Sequence, residues 1–181
     1  MSVYAIEVDG VLLKRPVDYK SFRVKEVKSE VTYNPLCPVF GCGKMSRETE
    51  KKLELYEAGW TSEYADADSI RRLKPLKKRW GIVSHLPSKV VKTFVEVHGL
   101  APAFVVGRVE WFPFKPMPQY FARAVNEGAT TYIGAYCVDA LMALMAGVSF
   151  VGIGKYVQNE RVPKAGWFKS FREFVEVRRK K

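Results

Sequence analysis

Cysteine and histidine are scarce in this chain, and their scarcity excludes several chemistries. There are three cysteines and two histidines among 181 residues. Cys37 and Cys42 flank Pro38-Val39-Phe40-Gly41, and a zinc site built on them would need two more ligands from Cys137, His85, His98 or scattered carboxylates. The odd cysteine count argues against the disulfide framework of a secreted domain, and a bridge between Cys37 and Cys42 belongs only to an oxidising or hyperthermophile setting. Two unlinked, packed thiols are the expectation. Long apolar runs are missing as well: none reaches the ~20 residues that cross a bilayer. The first residues lack a basic stretch leading into an apolar segment. These absences point to a soluble, cytoplasmic protein that does not engage a membrane.

What is present is enough for one sizeable core, since 48% of the residues are hydrophobic and a chain of this length has little room for two independent domains. Val3-Tyr4-Ala5-Ile6, leading into Glu7-Val8, is a short apolar run that stops at Asp9-Gly10. That is the pattern of a buried strand ending at a loop. Similar strands are expected at Trp80 to Val83, Phe104 to Val106, Thr131 to Ile133 and Ser149 to Ile153. Helices separate them. Ser88 can cap one with Val90, Val91, Phe94 and Val97 on its apolar face and Gly99 at its end. A second begins near Pro118, buries Tyr120, Phe121, Ala124 and Val125, and stops at Gly128. A third carries Val138, Leu141, Met142 and Met145 on one stripe before Gly147, and a last runs from Phe168 to Val177. Strands joined by such helices make an α/β fold, a Rossmann-like three-layer parallel sheet with helices on both faces.

Ligands in such sheets bind at the carboxyl ends of the strands, and four short motifs fall there. They are Glu7-Val8-Asp9-Gly10-Val11-Leu12, Ile82-Val83-Ser84, Lys115-Pro116, and Ile133-Gly134-Ala135-Tyr136-Cys137-Val138-Asp139. In this order the motifs resemble those of the haloacid dehalogenase (HAD) superfamily. The stretch from Lys115 onward, through Phe121, Ala124, Gly128, Tyr132, Asp139 and Ala146-Gly147, carries the likeness furthest. The resemblance covers most of the chain outside residues 14 to 79. It implies a core of residues 1–13 and 80–181, with 14–79 as a flap or cap insertion.

The resemblance also implies a chemistry. Phosphatases of that family attack phosphorus with an aspartate whose other oxygen holds Mg²⁺, while an aspartate two residues on protonates the leaving group and later activates water. By position the catalytic pair is Glu7 and Asp9. Ser84 and Lys115 form the phosphate clamp, and Glu7, Asp9 and Asp139 are the metal ligands. Two residues depart from the pattern. Glu7 stands where the nucleophilic aspartate should be, and its extra methylene displaces the carboxylate by roughly 1 Å, a misplacement that can cost about 10²-fold. Ala135 stands where a metal carboxylate should be, so Mg²⁺ is expected to bind weakly or not at all. The implied function is binding of phosphate or a phosphorylated small molecule, with slow Mg²⁺-dependent phosphomonoester hydrolysis. The alternative is a noncatalytic pseudo-phosphatase with a binding or regulatory role.

Within 14–79, Phe22-Arg23-Val24 and Glu30-Val31-Thr32-Tyr33 look like flap strands, Ser46 can cap a helix running to about Ala58, and Asp68 can start another that breaks near Pro75. Tyr33, Phe40, Trp60 and Tyr64 either line a pocket or form the insertion's own small core; Trp111, Phe112 and Phe114 carry the same two readings. The formal net charge of +11, with basic runs at Arg71-Arg72, Lys77-Lys78-Arg79 and Arg178-Arg179-Lys180-Lys181, favours anionic partners at low salt. A weak, nonspecific contact with nucleic acid is the expectation, and no nucleic-acid module signature is present.

Overall fold

The computed structural model describes residues 3–22, 47–76, 79–109, 119–155 and 164–179. Its centre is a six-stranded sheet in the order β3-β2-β1-β4-β5-β6, with every neighbouring pair parallel. The strands are β1 (Val3–Ile6), β2 (Trp80–Pro87), β3 (Val105–Arg108), β4 (Ala129–Gly134), β5 (Ser149–Ile153) and β6 (Gly166–Phe168). The helices are α1 (Tyr19–Phe22), α2 (Arg47–Tyr64), α3 (Ala67–Leu73), α4 (Ser88–Val97), α5 (Gln119–Asn126), α6 (Cys137–Met145) and α7 (Phe171–Arg179). The expected three-layer α/β architecture is the one observed.

Successive side chains of a strand face opposite sides of the sheet, and β1 divides the core accordingly. Tyr4 and Ile6 join Ile82, Ile133, Leu53, Leu73, Val91 and Phe174 in one buried cluster. Val3 and Ala5 join Val83, Phe121, Tyr132, Met142 and Phe150 in the other. α5 and α6 supply the second face, while α2, α3, α4 and α7 contribute to the first. α2 packs against α4 and β2, and α3 against α7, so these two helices share the core of the sheet.

Several local expectations change. β6 is additional: Phe168 pairs with Ile153 instead of opening the last helix. α7 starts at Phe171, where the Ser170 hydroxyl accepts from Glu173 N at 3.2 Å and the Glu173 carboxylate accepts from Lys169 N at 2.7 Å. Pro87, not Ser88, is the N-cap of α4, without a side-chain bond. Asp66, not Asp68, caps α3 by accepting from Asp68 N at 3.1 Å. Val97, Val125 and Met145 lie exposed; on α6 the buried stripe runs through Val138, Ala140, Met142 and Ala143, because small side chains let the helix approach β4 and β5. Phe22 ends α1 rather than starting a strand. The expected strand at 30–33, and Cys37, Cys42, Tyr33, Phe40, Trp111, Phe112, Phe114 and Lys115, lie outside the described residues.

Candidate active site

The end of β1 places the first motif. Glu7 N donates to Ile133 O at 2.9 Å, carrying the ladder to β4 one residue past the strand. The chain then turns sharply, with Leu12 N bonded to Val8 O at 2.9 Å and Gly10 at φ 74°. Only glycine fits there: a Cβ on Gly10 would also meet Ala135 Cβ at 2.6 Å. The turn therefore sets the first motif directly against the fourth.

Glu7 is fully buried and surrounded by donors. Its Oε1 accepts from Val8 N at 2.9 Å, from Asp9 N at 3.2 Å and from the Ser84 hydroxyl. Its Oε2 accepts from the Tyr132 hydroxyl at 2.9 Å. Tyr132 also reaches Asp139 Oδ1 at 3.3 Å. Asp139 Oδ2 accepts from Ala135 N at 2.9 Å and Tyr136 N at 3.0 Å, which ties the β4–α6 turn to the first turn of α6. Gly134 leaves the room for this, since a Cβ there would lie 2.6 Å from Asp139 Cβ.

A second group lies beside the first. Asp9 Oδ1 accepts from Val17 N at 2.8 Å, and Asp9 Oδ2 lies 3.4 Å from His85 Nε2. The other ring nitrogen, Nδ1, lies 3.7 Å from Glu7 Oε2. At the same ring nitrogen, the Tyr19 hydroxyl sits 2.6 Å from His85 Nε2 and donates to Glu57 Oε1 at 3.0 Å. Arg108, at the end of β3, grips both oxygens of Glu57 at 3.2 and 2.7 Å. Burial pushes the Asp9 carboxyl up to about 6, with His85 opposing and Glu7 adding to the rise. Burial likewise raises Glu57 despite Arg108, and raises the Tyr19 phenol well above its usual range, with Glu57 and Asp9 adding to it.

Glu7, Asp9, Ser84 and Asp139 thus converge at the carboxyl edge of the sheet, just after β1, on β2 and in the first turn of α6. Tyr132, His85, Tyr19, Glu57 and Arg108 were not singled out for this site from the sequence. Glu57 carried a signal: it lies with Leu53 and Thr61 on the buried stripe of α2, where a carboxylate needs a partner. Tyr132 carried none for this role: it entered only with the family likeness and otherwise reads as one more apolar-run residue of β4.

The first motif's geometry also tests the implied magnesium. A hard cation needs oxygen ligands in near-octahedral order. Here the Glu7 and Asp139 oxygens are taken by hydroxyl and amide donors, Ala135 offers no side-chain oxygen, and no three His, Cys, Asp or Glu among the described residues group as a metal site. No buried side-chain nitrogen or oxygen among them lacks a partner. The residues present do not fit magnesium.

No family profile matches the chain, and no curated protein matches it in sequence. Solved structures do. A hydrolase from Pseudomonas syringae is similar with a TM-score of 0.74 and 16% identity, over 99% of this chain and 99% of that one. A haloacid dehalogenase-like family protein from Streptococcus pneumoniae gives 0.68 and 13%, over 98% of each chain. The fold is that of the haloacid dehalogenases. CbbY from Rhodobacter sphaeroides, solved in complex with phosphate, is another neighbour in shape, at 0.67 and 14% over 96% of each chain.

Away from this site, the basic runs are partly compensated. Arg71 and Arg72 pair with Asp68, Arg72 also with Glu176, and Arg79 with Glu127. Among the described residues no helix is long and apolar enough to cross a membrane.

Proposed function

We propose that this chain is a noncatalytic HAD-fold protein, a pseudo-phosphatase that takes phosphate or a phosphorylated small molecule at the carboxyl edge of the sheet. The observation that carries the reading is the engagement of Glu7: backbone amides and the Ser84 hydroxyl hold one oxygen and Tyr132 holds the other. A nucleophile must present a lone pair in line with phosphorus, and this carboxylate instead joins β1, β2 and β4. Lys115, the third-motif lysine, is the expected cationic partner of the ligand. From the 14–79 stretch, Tyr19 and Glu57 reach the site, while α2 and α3 share the core of the sheet.

One observation favours a second reading, slow phosphomonoester hydrolysis: the Asp9 carboxyl at about 6 suits a general acid near neutral pH. Steady-state hydrolysis of p-nitrophenyl phosphate, by the wild type and by Glu7→Gln, separates the two. The noncatalytic reading expects equal, background rates from both proteins, and a rise in the thermal midpoint of the wild type with inorganic phosphate. Turnover that needs Glu7 overturns it.

A further inference from the structure

His85 lies close to two carboxylates of the site. We propose that the His85 imidazole, bridging the carboxylates of Glu7 and Asp9, takes the place of a divalent cation, so that the cleft is assembled without metal and admits none. This deepens the noncatalytic reading of the same site and rests on it.

Three features carry the proposal. The first is the bridge itself. His85 Nδ1 lies 3.7 Å from Glu7 Oε2 and Nε2 lies 3.4 Å from Asp9 Oδ2, so each end of one ring faces a different carboxylate. Magnesium holds its oxygens at about 2.0–2.1 Å, which brings neighbouring ligands to within about 3 Å of each other. An imidazole between two carboxylates is incompatible with that spacing.

The second is that the ring is held by a further contact at the nitrogen that faces Asp9. Tyr19 contacts His85 Nε2 at 2.6 Å and donates to Glu57, and Glu57 is clamped by Arg108. Swinging His85 aside to admit a cation would break the Tyr19 contact and disturb a fully buried glutamate. The third is Ala135. Its Cβ closes on the Gly10 backbone, and a methyl group cannot supply the oxygen that would draw a cation in against the imidazole.

The test uses the full chain and manganese as the probe, read by water-proton relaxation and by the thermal midpoint. Four proteins are compared: the wild type, Ala135→Asp, Ala135→Asp with His85→Ala, and Ala135→Asp with His85→Asn in case the alanine variant folds poorly. The expected result is no manganese binding by the wild type, little by Ala135→Asp alone, and binding at least about tenfold tighter once His85 is also replaced, the scale on which neighbours of a metal site alter affinity. Stoichiometric binding by the wild type overturns the proposal. So does a double variant that binds no better than Ala135→Asp. The hydrolysis comparison above is independent: a wild type that binds manganese yet shows only background turnover sinks the His85 proposal and leaves the noncatalytic reading standing.

Discussion

The Tyr132 hydroxyl donates to Glu7 Oε2 at 2.9 Å across 125 residues of sequence. Both side chains are fully buried, and the same hydroxyl reaches Asp139. Residues of the first and fourth motifs are therefore joined through a phenol from β4.

Tyr132→Phe removes that donor while keeping the ring that packs edge-on against Phe121. Leaving buried carboxylates one hydrogen bond short should cost about 1–3 kcal/mol. Urea denaturation of the two proteins measures it, with the slope unchanged and the midpoint lowered. An unchanged midpoint would mean that the hydroxyl contributes nothing to holding Glu7.

Asp9 makes stability fall as pH rises. Its folded value of about 6 lies above the ordinary aspartate value of 3.8, so between these two values the folded state binds more protons than the unfolded state. The contribution is fully present below about pH 4 and is lost as pH passes about 6, amounting to roughly 3 kcal/mol at most. Asp9→Asn cannot ionise at this position. Its stability relative to wild type should rise between about pH 4 and pH 7, as read by denaturation at each pH; a constant difference across that window would contradict the shift.

Glu57 and Arg108 form a buried ion pair, with side chains 0% and 12% exposed. Arg108→Met alone strands a buried carboxylate and should cost about 3–5 kcal/mol, whereas Arg108→Met with Glu57→Leu should cost far less, since apolar replacement of a whole buried pair is often near neutral. A double-mutant cycle read by denaturation gives the coupling directly. Additive costs would show that the pair is not acting as a unit.

Much of the fold was legible because the parallel strands read as short apolar runs that stop at motif residues. Val3 to Ile6 and Ile82-Val83 are buried as expected, and Gly99, Gly128 and Gly147 end helices with positive φ. β6 was hidden because Gly166-Trp167-Phe168 is too short for periodicity to separate it from the helix that follows. Within the site, the positions of Glu7, Asp9, Ser84 and Asp139 followed from strand ends. Their partners did not. Whether Glu7 points at a ligand or at Tyr132 depends on a residue whose alternation marks it only as core, and whether His85 reaches two carboxylates depends on its contact with Tyr19, far away in sequence. Sequence order carries no record of such contacts between distant strands and helices.

The central claim is that Glu7 is a structural carboxylate and not a nucleophile, and trapping a covalent intermediate tests it most directly. The full chain is incubated with acetyl phosphate and magnesium, quenched in acid, digested and examined by mass spectrometry for a hydroxylamine-labile phosphoryl group on the peptide containing Glu7. The account predicts no adduct above the level seen with Glu7→Gln. A stoichiometric acyl phosphate on Glu7, absent from Glu7→Gln, would contradict it.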